Sequence, residues 1–107
     1  MSHAERVDGL IEDLHPLFRA LGEPLRLALV RCLLAADGGM SVAALMAAVD
    51  APQSTVSRHL GILRDTGVVA AQRDGTARIY RVTIDDATVD SLESLVTTIR
   101  ACRADGH

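Results

Sequence analysis

The sequence predicts a mainly α-helical domain with one small β-hairpin, and three observations support this fold class. Apolar residues make up 49% of the 107 residues, and in most of the chain they recur at helical spacing. Two short helical segments, 42–49 and about 53–66, flank the turn residues Asp50-Ala51-Pro52. Two strand-like segments follow, joined at Asp74-Gly75, a strong hairpin signal. Two helices across a tight turn and then a hairpin form a winged helix-turn-helix, whose second helix enters the major groove of DNA.

The chain opens with two helical segments. Apolar residues follow one-faced helical spacing in the first of them, at Val7, Leu10, Ile11, Leu14, Leu17, Phe18 and Leu21. Pro16 interrupts this pattern, so we expect a break or a kink there. Pro24 suits the first position of the next helix. The segment 25–36 is apolar nearly all round, which predicts a central, buried helix.

The helix-turn-helix is expected over about residues 41–66. Ser41 follows a turn at Asp37-Gly38-Gly39 and is a plausible N-cap for the helix 42–49. The second helix begins at about Gln53 and ends before Gly67. Its inward residues are expected at helical spacing, at Val56, Leu60 and Leu63.

The hairpin, or wing, is expected over about residues 68–83, with strands at 68–72 and 77–82. A final helix follows over about 86–103. Its apolar stripe consists of Val89, Leu92, Leu95, Val96 and Ile99. This face and that of the first helix, about 4–21, need partners, and closed two-fold dimers are the commonest oligomers. We therefore expect a single domain over 1–107 that forms a homodimer through its terminal helices.

Composition limits the possible partners. Phe18 and Tyr80 are the only aromatic residues, so the chain offers no stacking platform for single-stranded bases. No apolar run approaches the roughly 18 residues that span a bilayer. The residues 1–6 also lack the features of a signal peptide. We expect a cytoplasmic protein without a membrane partner.

The charge of the chain is unevenly distributed. The net charge is −3, which is unusual for a protein that must neutralise phosphates. Residues 53–81, however, carry five arginines against two aspartates, a local net of +3 that leaves −6 for the rest. A basic face on an acidic body favours one orientation on DNA.

Polar side chains at the start of the second helix and at the tip of the wing are the candidate contacts to double-stranded DNA. They are Gln53, Ser54, Thr55, Ser57, Arg58, His59, Arg73, Gly75 and Arg78. Gln53 can pair with adenine, and Arg58 and His59 suit phosphate or guanine. Two alternatives remain open at this point: Ser54 or Thr55 caps the helix, and the wing arginines are a solvated surface.

Four motifs in this order resemble the ArsR/SmtB family of winged-helix repressors. They are LFRALGEPLRL (17–27), MSVAAL (40–45), QSTVSRHL (53–60) and RDG with IYR (73–75 and 79–81). The resemblance covers about residues 17–82. It implies a homodimer that binds an operator near its own promoter and leaves it when an inducer binds.

The family's usual metal ligands are missing here. Its Cys-x-Cys pattern corresponds to residues 41–44, which contain no sulfur, and 85–103 offers carboxylates but no histidine. Zinc and nickel prefer imidazole or thiolate. A divalent transition metal therefore remains possible only at weak candidates: His3, His15, Cys102 and His107. The alternative is that these residues are ordinary surface or terminal groups.

The two cysteines suggest a second kind of switch. Some thiol-responsive members of the family pair a cysteine of the second helix with one of the last, and Cys32 and Cys102 fall on those helices. Cys32 lies one residue later than that pattern requires, which rotates it by about 100°. Both also continue apolar stripes, so ordinary packing is the alternative.

An enzyme and a protein-binding adaptor are the two alternatives to a repressor. We find no nucleophile and base pairing, no phosphate-binding glycine loop and no metal cluster in the sequence, so we expect no enzyme. A winged-helix adaptor that binds proteins without an inducer site remains the alternative to a repressor.

Overall fold

The computed structural model describes residues 2–105. The elements are α1 (His3–Leu21), α2 (Pro24–Ala35), β1 (Met40–Ser41), α3 (Val42–Val49), α4 (Gln53–Asp65), β2 (Val69–Asp74), β3 (Ala77–Val82) and α5 (Asp86–Ala104). The sequence predicted one domain over 1–107, and the structure divides the chain into two compact units. A terminal unit comprises Met1–Pro16 with Asp85–His107, and a winged unit comprises Leu17–Ile84. None of the helices described is both long and apolar enough to cross a membrane.

Helix α1 runs through Pro16 without a break. A proline in a helix interior removes one backbone hydrogen bond, which is why the sequence predicted a break or a kink. Leu14 and Leu17, before and after the proline, are 1% and 7% exposed. Burial of these side chains favours a continuous helix, so the predicted break is wrong, and the alternative of a kink stays a prediction.

Helix α2 begins with Pro24 at its first position, as predicted, and Glu23 caps it. The Glu23 Oε2 accepts the backbone N–H groups of Leu25 and Arg26 at 2.8 and 3.2 Å. Only one face of the helix is buried, since Leu34 on the other side is 68% exposed. The prediction of a helix buried all round is therefore wrong. The winged unit has too few elements to surround it.

The core of the winged unit forms where α3, α4 and the sheet meet. Leu45 of α3 is fully buried, and so are the α4 residues Val56, Leu60 and Leu63. These three follow the predicted helical spacing, which is confirmed. Their burial fixes the rotation of α4 and turns its opposite side outward.

The sheet is antiparallel with the order β1-β3-β2. Strand β1 was not predicted, because two residues show no alternation. The hairpin closes at the pair Asp74 and Ala77, so its loop residues are Gly75 and Thr76, one position beyond the predicted Asp74-Gly75 turn. Gly75 has φ of 65°, the sign that the first loop position of a type II′ turn requires.

Two further helices, α3 and α5, are capped by side chains. The Ser41 Oγ accepts the N–H of Ala44 at 3.1 Å, so the predicted N-cap of α3 is confirmed. In the terminal unit, the Asp85 Oδ1 accepts the N–H of Thr88 at 2.8 Å and starts α5. Hydrogen bonding by Thr88 stabilises the carboxylate and lowers the pKa of Asp85.

Candidate nucleic-acid interface

One side of α4 presents a row of polar side chains. Gln53, Ser54, Ser57 and Arg58 are exposed, and Thr55 is half-buried. We call residues 53, 54, 57 and 58 the outer face of α4. They point outward because the apolar residues on the opposite side of the helix are packed in the core. Short hydroxyls, an amide and a guanidinium are the groups that contact phosphates and base edges.

The first turn of α4 has free backbone donors. Its N-cap position is Pro52, and in the described part of the chain no side-chain hydrogen bond caps this helix. The N–H groups of the first turn lack helical partners and carry the positive end of the helix dipole. Together with the outer face, they form a surface suited to a phosphate.

His59 does not belong to this surface. The sequence predicted that His59, like Arg58, contacts phosphate or guanine. In the structure His59 is only 6% exposed and is turned inward. The Nδ1 of His59 lies 3.1 Å from Nη1 of Arg26 on α2 and 3.9 Å from Oε2 of Glu23. The expectation of a direct DNA contact is corrected, because one residue rotates a side chain by about 100° around the helix.

The surroundings of His59 favour its neutral form. Burial is the largest effect that lowers its pKa from 6.5, and the neighbouring Arg58 and Arg26 lower it further. The carboxylate of Glu23 acts in the opposite direction. A neutral ring at neutral pH is the result.

The wing carries two arginines at its tip. Arg73 on β2 and Arg78 on β3 are exposed and directly opposite each other, with Gly75 exposed in the loop between their strands. Like charges in a cross-strand pair repel each other. An anion such as a DNA phosphate would relieve that repulsion, so the tip is suited to an acidic partner.

Two residues of the winged unit acquire a role that the sequence did not reveal. Glu23 caps α2, and Arg26 bridges to the helix α4. The pair Glu23-Pro24 at a helix start is a sequence signal for the cap. No local pattern predicts the contact of Arg26 with a residue 33 positions away.

The weak metal candidates do not form a site within residues 2–105, where no group of three or more potential ligands occurs. In the terminal unit, Nδ1 of His3 lies 3.1 Å from Oδ2 of Asp105. His15 is exposed and Cys102 is half-buried. His107 lies outside the described residues. A metal site on these residues stays a prediction.

Both cysteines are free thiols. Cys32 is half-buried on α2 in the winged unit, and Cys102 is half-buried on α5 in the terminal unit. Cys32 lines a shallow groove with Leu25, Ala28 and Val49. The redox hypothesis for this pair stays a prediction.

Comparison with known proteins gives sequence relatives of one kind. A family described as helix-turn-helix domain matches residues 21–71. An uncharacterised HTH-type transcriptional regulator of Methanocaldococcus jannaschii is 40% identical over 70 residues, which are 65% of this chain and 76% of that protein. The HTH-type transcriptional repressor SmtB of Mycobacterium tuberculosis is 41% identical over 66 residues. That match covers 62% of this chain and 47% of the repressor.

Solved structures of similar proteins share the fold. The crystal structure of the transcriptional repressor BigR from Xylella fastidiosa has a TM-score of 0.70 at 30% identity, over 91% of this chain and 95% of that one. A solution structure of a homodimeric winged helix-turn-helix DNA-binding domain from Mycobacterium bovis, a possible ArsR-family regulator, has a TM-score of 0.65 at 25% identity. It covers all of this chain and 95% of that one.

Proposed function

The chain belongs to the ArsR/SmtB family of winged helix-turn-helix transcriptional regulators, and from this premise we propose that it is an autoregulated repressor. It is a DNA-binding regulator and not an enzyme. In the proposal, a homodimer occupies an operator in double-stranded DNA in the cytoplasm of a bacterial cell and leaves when an inducer binds. The observation that carries the proposal is the exposed outer face of α4 beside the arginine-tipped wing.

We propose a division of labour within this surface. Gln53, Ser54, Thr55 and Ser57 read base edges or hold phosphates from the start of α4, since a helix enters the major groove by its N-terminal residues in this motif. Arg58 binds phosphate or guanine. Arg73, Gly75 and Arg78 place the wing against the backbone or minor groove.

The charge distribution supports an electrostatic contribution to binding. The local net charge of +3 over residues 53–81 faces phosphates, while the acidic remainder is repelled by them. Affinity that rests on phosphate contacts falls linearly with the logarithm of the salt concentration. Salt dependence is therefore the property that separates a DNA reader from the adaptor alternative.

Exposed apolar side chains in the terminal unit support the homodimer. Val96 and Ile99 on α5 are 50% and 43% exposed, and Ile11 on α1 is 46% exposed. Burying such side chains removes apolar surface from water, which favours association. The M. bovis relative is itself homodimeric.

The mass in solution tests this interface. Light scattering should give twice the chain mass of 11.4 kDa, and Val96→Asp should shift the protein towards the monomer. Leu34→Asp is the matched control, because Leu34 is an exposed leucine on α2, outside the terminal helices. If only the Leu34→Asp protein dissociated, the dimer interface would lie on α2, and the proposed interface on the terminal helices would be wrong.

The inducer has three candidate classes. A divalent transition metal would need ligands from two copies or from His107, because residues 2–105 of one copy contain no three-ligand group. A thiol oxidant or persulfide would act on Cys32 and Cys102. An unidentified small molecule is the third class. Metal analysis of the purified protein and mass spectrometry after peroxide or persulfide treatment separate them.

A gel shift with the region upstream of the protein's own gene tests the main proposal. The wild-type chain should retard this duplex in a salt-dependent way, and an unlabelled single strand of the same sequence should compete poorly. A chain that binds neither the duplex nor its competitor supports the adaptor instead.

A further inference from the structure

One guanidinium joins three parts of the winged unit. The Nε of Arg26 donates to the carbonyl of Ala20 at 2.5 Å, and Nη2 donates to that of Arg19 at 3.5 Å. Both carbonyls lie in the last turn of α1, where the usual partners four residues on are missing, and that of Arg19 also accepts the N–H of Gly22 at 3.3 Å. The remaining Nη1 reaches the ring of His59 on α4 at 3.1 Å. Arg26 thus ties the end of α1 and the start of α2 to the second turn of the DNA-reading helix.

The shorter of the two arginine contacts to the ring assigns the tautomer of His59. An arginine has donors only, so Nδ1 of His59 accepts in the contact with Arg26, and we assign the proton of the neutral ring to Nε2. The Nη2 of Arg58 lies 3.4 Å from Nε2 of His59. In this tautomer Nε2 carries the proton, so it cannot accept a hydrogen bond from Arg58. Arg58 therefore remains available for a partner outside the chain.

We propose that Arg26 and the neutral ring of His59 form a positioning pair that sets α4 in the pose in which its outer face reaches DNA. The inference rests on the proposed DNA binding and adds a residue that acts without touching DNA. His59 and Arg58 lie on the same helix, so a shift of α4 that follows loss of the contact with Arg26 moves Arg58 and the outer face with it.

Protonation of His59 opposes this arrangement. The charged groups around the ring are Arg26 from α2, Arg58 from α4 itself and Glu23 from the turn before α2. A protonated ring loses its acceptor atom and adds a third cation beside two arginines, with one carboxylate at 3.9 Å as its counter-charge. The lowered pKa of His59 agrees with this geometry.

The sign of the pH effect distinguishes positioning from direct contact. If His59 held a phosphate, acid would strengthen binding, because a cation would form at the interface. In the positioning account, acid weakens binding by breaking the pair with Arg26. A comparison of two proteins that differ only at residue 59 isolates the effect of this position on the pH dependence.

The experiment measures duplex affinity by fluorescence anisotropy, with the upstream region of the gene as the probe, from about pH 7.5 to about pH 5. His59→Leu removes the acceptor and should weaken binding about tenfold near neutral pH, as expected for one hydrogen bond to a charged group. His59→Asn replaces the Nδ1 acceptor with an amide oxygen and should restore most of that affinity. Wild-type affinity should fall relative to His59→Asn as the pH decreases.

Arg26→Lys provides a second test, because it keeps the charge but loses the fork of donors. It should weaken binding like His59→Leu, and the double variant should lose no more than either single change. Circular dichroism must first show that each variant is folded. Additive losses, or wild-type affinity that rises in acid relative to His59→Asn, would overturn the proposal.

A DNA-free readout separates this inference from the proposed function. Nitrogen NMR shifts of the free wild-type protein should show the Nε2–H tautomer of His59 and a pKa below 6.5. An Nδ1–H tautomer contradicts the pair whether or not DNA binds. A wild-type chain with the expected tautomer but no affinity for duplex would refute the DNA-binding proposal and the positioning role with it.

Discussion

Two neighbouring glycines should respond very differently to the same substitution. Gly38 and Gly39 both have positive φ, at 81° and 88°. A Cβ at Gly38 meets nothing within 4 Å, whereas a Cβ at Gly39 would lie 2.5 Å from the carbonyl oxygen of Tyr80. It would also lie 2.7 Å from Cγ2 of Ile79. Gly39 is therefore the point of close approach that lets β1 pair with β3.

The two substitutions to alanine separate the two costs. A left-handed conformation costs an L-residue about 1–2 kcal/mol, and this is the whole penalty expected for Gly38→Ala. Gly39→Ala adds overpacking against backbone, about 1–3 kcal/mol. Against a domain stability of about 5–15 kcal/mol, the difference is readily measured.

The assay is urea unfolding followed by circular dichroism, with equal protein concentrations because a dimer would make stability concentration-dependent. Gly39→Ala should unfold at a clearly lower urea midpoint than Gly38→Ala, with a similar slope. Equal stabilities of the two variants, within about 0.5 kcal/mol, would refute the clash argument and the close approach of β1 to β3.

The remaining predictions concern the core, a cap and a titration. Leu60→Ala should cost about 2–5 kcal/mol in urea unfolding, and a cost near zero would contradict its full burial. Ser41→Ala should cost about 1 kcal/mol by losing its bond to Ala44, whereas Ser41→Asp should cost less. Folding lowers the pKa of His59 from its unfolded value of 6.5. The contribution of His59 to the free energy of unfolding is therefore fully present above pH 6.5, and it is lost as the pH falls towards the lowered pKa. A His59→Asn protein with the same decline would exclude His59 as its cause.

Much of the fold follows from periodicity and turn chemistry. Helical spacing at Val56, Leu60 and Leu63 correctly predicted the inward side of α4, and Ser41 correctly predicted the start of α3. The errors arose where tertiary packing decides. Burial beside Pro16 preserves α1, and strand β1 is too short to show a pattern without its partner β3.

His59 shows how the same periodicity could have refined the candidate site. It lies three residues after Val56 and four before Leu63, and those spacings place it on the inward side of α4. His59 was instead predicted to contact phosphate or guanine together with its polar neighbour Arg58. Its partner Arg26 could not be found by such reasoning, because the contact depends on how α2 packs against α4.

The central claim is that the outer face of α4 binds duplex DNA, and a salt titration of affinity tests it most directly. Arg58→Ala should weaken binding to the upstream duplex and reduce the salt slope by about one for each Arg58, or about two for the proposed dimer. Arg103→Ala removes the same charge from the exposed end of α5 and should leave the slope unchanged. The contrary result, equal slopes for wild type and Arg58→Ala, would remove Arg58 from the interface and contradict the account of this surface.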